Sequence, residues 1–396
     1  MMKSFLRLQI LGLILLTPWV VQSVSAQSAR PYSQQMAHTV MTIWKDSLPS
    51  GNKWTYDQGV ILKGFENIWH QTGDQQYFDF IKHCMDKFVQ TDGSIRTYNL
   101  ADHNLDFILC GRNVLTLYRQ THEDKYLKAV QTLREQLRTQ PRTFDGGFWH
   151  KKRYPNQMWL DGLYMAEPFY AEYAAIFHED TAFNDIARQF ILMEKHSRDE
   201  KTGLLYHAWD ASKKERWADP QTGRSPNFWG RAMGWYGMAL VDALDQFPAD
   251  HPRRNELLAI LQRYAAAVVR WQDKPTGLWY EVLDKGTEKG NYQEASVSCM
   301  FVYTLAKAVR QKYLPATYIP VVQKGYAGII KKFIRTDDKG LLALDGTVQV
   351  GGLGGKPYRD GSYAYYLSEK VITNDAKGVG AFILAATEIE WLKGKK

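Results

Sequence analysis

The chain has 396 residues, 45% of them hydrophobic and 13% aromatic, so it carries enough apolar surface for a large buried core and is not a disordered polymer. Its net charge of +8 is spread along the sequence with no run of five or more basic residues. Without a basic patch or a nucleic-acid-binding motif, DNA and RNA are poor candidates as partners, whereas a positive balance suits an anionic substrate.

At the N-terminus, Lys3 and Arg7 precede an apolar run from Leu8 to Val21, broken by Gly12 and Pro18, and Val24-Ser25-Ala26 fits a small-residue cleavage site. This layout predicts a secretory signal peptide over residues 1–26, too short for a comfortable membrane span; an uncleaved anchor is the alternative. Residues 27–396 are then one domain, with no later stretch apolar enough to cross a bilayer. Cys84, Cys110 and Cys299 show no metal-ligand spacing, and an odd number cannot complete a disulfide framework, so they read as buried apolar residues. The 13 tryptophans and 23 tyrosines are core material first, with stacking on sugar rings as a second use.

Three stretches carry apolar residues at helical spacing: Leu160, Leu163, Ala166, Phe169, Tyr170, Tyr173, Phe177; Trp229, Ala232, Met233, Tyr236, Leu240, Leu244, Phe247; and Val297, Met300, Phe301, Leu305, Val309. Each follows the pattern of an amphipathic helix, and alternating strand patterns are scarce. A glycine turn followed by apolar and aromatic residues recurs between helices, at Gly51-Asn52-Lys53-Trp54, Asp92-Gly93, Asp145-Gly146-Gly147-Phe148-Trp149, Thr202-Gly203-Leu204-Leu205-Tyr206, Thr276-Gly277-Leu278-Trp279-Tyr280 and Lys339-Gly340-Leu341-Leu342. The spacing of about 40 to 75 residues admits two helices per repeat. Six such pairs predict an all-α fold, an (α/α)6 toroid in a single domain, with loops gathered at one end. An open helical array has the same period.

Three clusters follow the turns. In His150-Lys151-Lys152-Arg153-Tyr154-Pro155-Asn156-Gln157-Met158-Trp159-Leu160-Asp161-Gly162, Asp161 falls in the first turns of an apolar helix, where an acid either meets backbone N–H groups or faces a cavity. Tyr206-His207-Ala208-Trp209-Asp210 places a histidine after a turn, and Arg231 and Trp235 share one helical face. Each cluster alone reads as structural. Together with Asp106, which precedes Gly111-Arg112, the repeats offer Asp106, His150, Asp161, His207 and Arg231 from corresponding loop-to-helix junctions. In a closed ring these face one mouth, and acids, histidines, an arginine and tryptophans describe a site for an anionic sugar.

The stretch Tyr154-Pro155-Asn156-Gln157-Met158-Trp159-Leu160-Asp161-Gly162-Leu163-Tyr164-Met165 resembles the central signature of the unsaturated rhamnogalacturonyl hydrolases, family 105 of the glycoside hydrolases. Phe228-Trp229-Gly230-Arg231-Ala232-Met233-Gly234-Trp235-Tyr236-Gly237-Met238-Ala239 is similar to a second signature. Further matches are Gly277 to Asp284 with Glu294-Ala295-Ser296, and Gly351-Gly352-Leu353-Gly354-Gly355 with Tyr358-Arg359-Asp360-Gly361-Ser362 and Thr373-Asn374-Asp375. The resemblance covers nearly all of residues 27–396.

It implies a six-hairpin toroid, no metal or organic cofactor, and an unsaturated acidic oligosaccharide as partner. In that family, water adds across the C4=C5 double bond of a terminal unsaturated uronic acid, and the resulting hemiketal opens and releases the rest of the sugar chain. Asp161 matches the general acid/base, which protonates C4 and deprotonates the water attacking C5. Such a group starts in its acid form, and burial or a neighbouring acid, with Asp106 in that place, can favour it. His150 and His207 match histidines that hold the sugar and the water. Arg231, with Trp229 and Trp235, matches the part that holds the uronate, and Tyr56 joins the substrate-binding set. Three other readings stay open. The first is a hydrolase of unsaturated glucuronyl oligosaccharides from ulvan or glycosaminoglycans. The others are a two-carboxylate glycosidase acting on saturated sugars and a non-catalytic sugar-binding toroid. Export to the periplasm is the expected location.

Overall fold

A computed structural model describes residues 30–45, 48 and 52–394; the expected signal peptide, residues 1–26, and Gly51 of the first turn lie outside the described residues. The chain opens with α1 (Tyr32–Ile43). Five helical hairpins follow: α2 (Tyr56–Thr72) with α3 (Gln75–Asp86), α4 (Gly111–Thr121) with α5 (Asp124–Thr139), α6 (Leu160–Phe177) with α7 (Ala182–Ser197), α8 (Gly230–Leu244) with α9 (Arg254–Arg270), and α10 (Ala295–Arg310) with α11 (Ile319–Phe333). A short α12 (Tyr363–Ser368) leads to α13 (Ala376–Gly394), which packs on α1 as the sixth pair.

Helices α2, α4, α6, α8, α10 and α13 pack side by side in that order, and α13 packs on α2. The ring therefore closes, as an (α/α)6 toroid and not an open array. The first and last helices of the described chain supply the closing pair, a contact that no local periodicity reveals.

The three helices read from apolar spacing are α6, α8 and α10, all members of the inner ring. They are more deeply enclosed than an amphipathic stripe requires: all fifteen residues of α8 are buried. An inner helix has a ring neighbour on each flank and an outer partner behind it, so little of its surface meets water. The outer helices α3, α5 and α7 keep the one-sided pattern, with polar residues outward.

Each glycine turn joins an outer helix to the next inner one. Gly93, Gly146, Gly203, Gly277 and Gly340 all adopt left-handed backbone, with φ of 88°, 97°, 76°, 78° and 77°. A side chain is disfavoured there, which explains why glycine recurs at these places. The connection after each turn runs to an inner-helix N-terminus, so the six N-termini share one end of the ring. Short antiparallel pairs brace these connections: β1 (Gln157–Trp159) with β2 (Ala208–Asp210), β3 (Ile334–Thr336) with β4 (Leu342–Leu344), and β5 (Thr347–Val348) with β6 (Val371–Ile372). Among the described residues no helix is long and apolar enough to cross a membrane.

Buried ion pairs tie the inner ring together. Lys63 of α2 meets Glu66 at 2.9 Å and Glu172 of α6 at 3.3 Å. Arg112 of α4 bridges Glu172 and Asp242 of α8, each at 2.7 Å. Lys307 of α10 contacts Asp242 at 2.6 Å and Asp245 at 2.8 Å, and Arg310 holds Glu388 of α13 at 2.5 Å. Every inner helix contributes a charge to these pairs.

Candidate active site

Asp161 is the second residue of α6, where the helix N-terminus favours an acid. Its Oδ2 lies 3.1 Å from Nε2 of the fully buried His207, close enough for charge interaction though off the line of a hydrogen bond. The β1–β2 pairing, with Met158 opposite Trp209, sets this contact, and Leu160 N–H donates to the His207 carbonyl at 3.0 Å. On its other side, His207 Nδ1 is 2.7 Å from the Tyr366 hydroxyl. Burial, with Tyr365 and Asp161 adding to it, holds the Tyr366 phenol well above its ordinary range. The phenol thus keeps its proton, and donation of that proton to Nδ1 would place the imidazole hydrogen on Nε2, facing Asp161.

Asp106 sits in a turn before α4, its backbone N–H capped by Asn104. Burial works to raise its carboxyl, but Lys151 outweighs that and holds it below the usual carboxylate range. Lys151 Nζ is in close contact with Oδ2, and His150 Nε2 stands 3.5 Å from Oδ1. Asp106 is therefore a locked anion. The ionisable side chain in contact with Asp161 is His207, while Lys151 and His150 stand against the Asp106 carboxylate.

His150 stacks on Trp159 with ring centroids 4.7 Å apart, and Trp159 also stacks on Tyr154 at 5.2 Å. Burial, with Lys151 adding to it, pulls His150 down to about 4 against the opposing pull of Asp106 and Asp161. It is neutral in the fold, whereas an unfolded histidine protonates near 6.5, so the unfolded chain gains protons first as pH falls. The stability that neutral His150 contributes is then complete above pH 6.5 and lost progressively toward pH 4, by up to about 3 kcal/mol. Urea unfolding across that range is expected to show a flatter pH dependence for His150→Gln than for the wild type.

Trp229 joins the two sides of the site. Its ring lies 4.7 Å from His207 and 5.8 Å from Tyr366, and Nε1 donates to Glu281 at 2.7 Å. Arg231 stacks on Trp229 at 5.3 Å, donates Nη2 to the Val348 carbonyl, and leaves Nε and Nη1 without a partner among the described residues. It is 1% exposed and faces the acids Glu294, Asp375 and Glu281, so it lies deeper than a surface clamp and compensates a buried acidic cluster. Trp235 is equally deep, stacked on Tyr164 at 4.9 Å and edge-on to the half-buried Tyr56 at 6.3 Å.

Sequence reasoning passed over Lys151, Tyr154, Trp159, Tyr366 and Arg359. Lys151 follows His150 in a basic triplet that reads as surface charge. Tyr366 arrives from the distant α12, and Arg359 from the loop before it, where its Nη2 donates to the Tyr154 hydroxyl at 3.1 Å. Arg153, Tyr154 and Arg359 line a cleft of about 740 Å³, with Lys356 adding charge and Glu215 and Glu369 opposing it. A neighbouring hollow of about 500 Å³ is lined by Lys151, Lys152 and Arg153, with Asp102 opposing them. Both hollows are thus cationic on balance, and each has aromatic side chains in its lining.

Comparison with known proteins places this geometry. The model of Glycosyl Hydrolase Family 88 matches residues 29–393. A family 105 glycoside hydrolase structure from C. acetobutylicum ATCC 824 superposes with a TM-score of 0.89 at 45% identity, over 91% of this chain and 100% of that one. Protein Atu3128 of Agrobacterium fabrum is 38% identical over 230 residues, 57% of this chain and 97% of that protein. The unsaturated rhamnogalacturonyl hydrolase YesR of Bacillus subtilis is 28% identical over 283 residues, 70% of this chain and 75% of that protein. With one family model spanning almost the whole toroid and a family 105 structure matching it end to end, the chain belongs to the glycoside hydrolases of families 88 and 105.

Proposed function

We propose that this chain is an unsaturated rhamnogalacturonyl hydrolase. It removes the terminal 4,5-unsaturated galacturonyl residue from rhamnogalacturonan oligosaccharides in pectin breakdown. The observation that carries this reading is the unequal state of the two acids. Asp106 is held as an anion by Lys151, while Asp161, among the described residues, has no lysine or arginine partner and is backed by an imidazole. One acid alone is free to move a proton. That suits delivery of a proton to C4 and removal of one from the water attacking C5, with the developing cation shared by the ring oxygen. A two-carboxylate displacement at the anomeric carbon needs a second acid free to act as base or nucleophile.

The cationic cleft supports an acidic oligosaccharide, and Tyr154, backed by Trp159, offers a ring face for a sugar. Arg231, with two nitrogens unpartnered among the described residues, is assigned the uronate carboxylate at the base of the site. Trp229, Trp235 and Tyr56 shape that base, and His150 and His207 orient the sugar and the water. The similarity to YesR favours rhamnose as the following sugar. We propose on the N-terminal pattern that residues 1–26 direct export and that the enzyme works in the periplasm.

The test uses lyase-generated rhamnogalacturonan disaccharide and follows the ultraviolet absorbance of its conjugated double bond. Loss of absorbance, with no turnover of the saturated galacturonyl analogue, is the expected result. Turnover of the saturated sugar would overturn the hydration chemistry, and turnover of only unsaturated glucuronyl substrates would move the specificity to that class.

A further inference from the structure

Behind His150 lies a small enclosed cavity walled by Leu105, Phe148, Met158 and Leu163, with His150 and Glu167 among its polar lining. It offers about 10 Å³ to the centre of a water-sized sphere, which is room for one molecule. Two of its polar groups are orphaned. Glu167 of α6 is fully buried and neither carboxyl oxygen has a partner among the described residues. His150 is 3% exposed and its Nδ1 has none either. The third polar group, Gln189, is already satisfied: Oε1 accepts from Phe148 N–H at 2.8 Å, and Nε2 donates to the Gly146 carbonyl and Asp185, each at 3.1 Å. Orphaned buried polar groups are rare, and a polar cavity of this size between two of them is where an ordered water is found.

We propose that a single water in this cavity links the Glu167 carboxyl to His150 Nδ1, which makes Glu167 a positioning residue for the active-site imidazole. Glu167 O–H donates to the water, and the water donates to Nδ1. The imidazole hydrogen is thereby fixed on Nε2, the nitrogen 3.5 Å from Asp106 Oδ1. The charges around Glu167 favour its acid form. Burial comes first and Asp185 of α7 second, against Arg142 and Arg134. Arg142 is committed to Asp185 at 2.7 Å and Arg134 to Glu179 at 2.8 Å. Around His150 stand Asp106, Lys151, Asp161 and His207. Gly162 completes the arrangement: a Cβ there would stand 3.0 Å from Nδ1, and the ring would have to give by a few tenths of an ångström.

The test is nitrogen NMR of the histidine-labelled full chain, with the His150 signal assigned by its loss in His150→Gln. The wild type and Glu167→Gln, which keeps a donor, are expected to show His150 with hydrogen on Nε2. Glu167→Leu is expected to mix or reverse the tautomers and to lower kcat by about 10–100-fold, the range seen when a partner fixing an imidazole is lost, with KM little changed. An Nδ1–H tautomer in the wild type, or an unchanged tautomer in Glu167→Leu, overturns the proposal. The NMR arm needs no substrate, so its outcome is independent of the rhamnogalacturonyl reading on which the kinetic arm rests.

Discussion

Asp161→Asn is expected to lower kcat on the unsaturated disaccharide by about 10²–10⁴-fold, the usual contribution of a positioned proton-transfer group. The amide oxygen can still face His207 Nε2–H, which the Tyr366 hydroxyl orients from the other side at 2.7 Å. Shape and local contacts therefore survive, and KM and thermal stability are expected to stay near wild type. What disappears is the ability to give a proton to C4 and take one from water. Asp106→Asn should behave differently. It strands Lys151 beside a neutral amide and shifts both Lys151 and His150, so KM and kcat are expected to move together. Side-by-side kinetics read the difference. If Asp161→Asn keeps more than about a tenth of wild-type kcat, Asp161 is not the proton carrier, since even the low end of such effects is about 10²-fold.

The path from sequence to site was open in some places and closed in others. Helices α6, α8 and α10 announce themselves because apolar residues dominate long stretches. The glycine turns announce themselves because left-handed backbone selects one residue at five matching positions. From those two signals the gathering of Asp106, His150, Asp161, His207 and Arg231 at one end of the ring follows, since Asp161 and Arg231 sit in the first turns of α6 and α8 and the other three lie in the connections that lead to α4, α6 and α8. Closure depends on α13 meeting both α1 and α2, which is a contact across the whole chain. The state of each acid was equally hidden. Lys151 looks like surface charge until the turn holding Asp106 is folded against it. Tyr366 lies 159 positions from the histidine it orients. Arg231 shows a stackable guanidinium in sequence, and only the fold shows three acids around it.

Asp242→Asn is expected to cost up to about 3–5 kcal/mol of stability near neutral pH, because it takes one of two counter-charges from each of two buried cations, leaving Arg112 with Glu172 alone and Lys307 with Asp245 alone. Asp242 is fully enclosed in α8 and accepts from Arg112 at 2.7 Å, Lys307 at 2.6 Å and the Tyr303 hydroxyl at 2.6 Å. Burial works to raise its carboxyl, yet Lys307 and Arg112 outweigh that and hold it far below the usual range. A depressed acid contributes stability that is present above the ordinary carboxylate pKa and lost as pH falls below it. The wild type is therefore expected to lose stability steeply below about pH 4, and Asp242→Asn to lose less over that interval because its loss has already been taken. Urea unfolding at neutral and acid pH measures both effects. Whether the charges themselves hold the ring is a separate question, answered by replacing Arg112, Asp242 and Lys307 together with Met, Leu and Met. Buried ion triads often exchange for well-packed apolar residues with little loss, so the triple variant should be more stable than Asp242→Asn alone. If it recovers, the single variant fails through stranded charge, and the network acts mainly to fix which helices are neighbours. If it is as unstable as the single variant, the geometry of the ion pairs is itself what keeps α4, α8 and α10 in register around the ring.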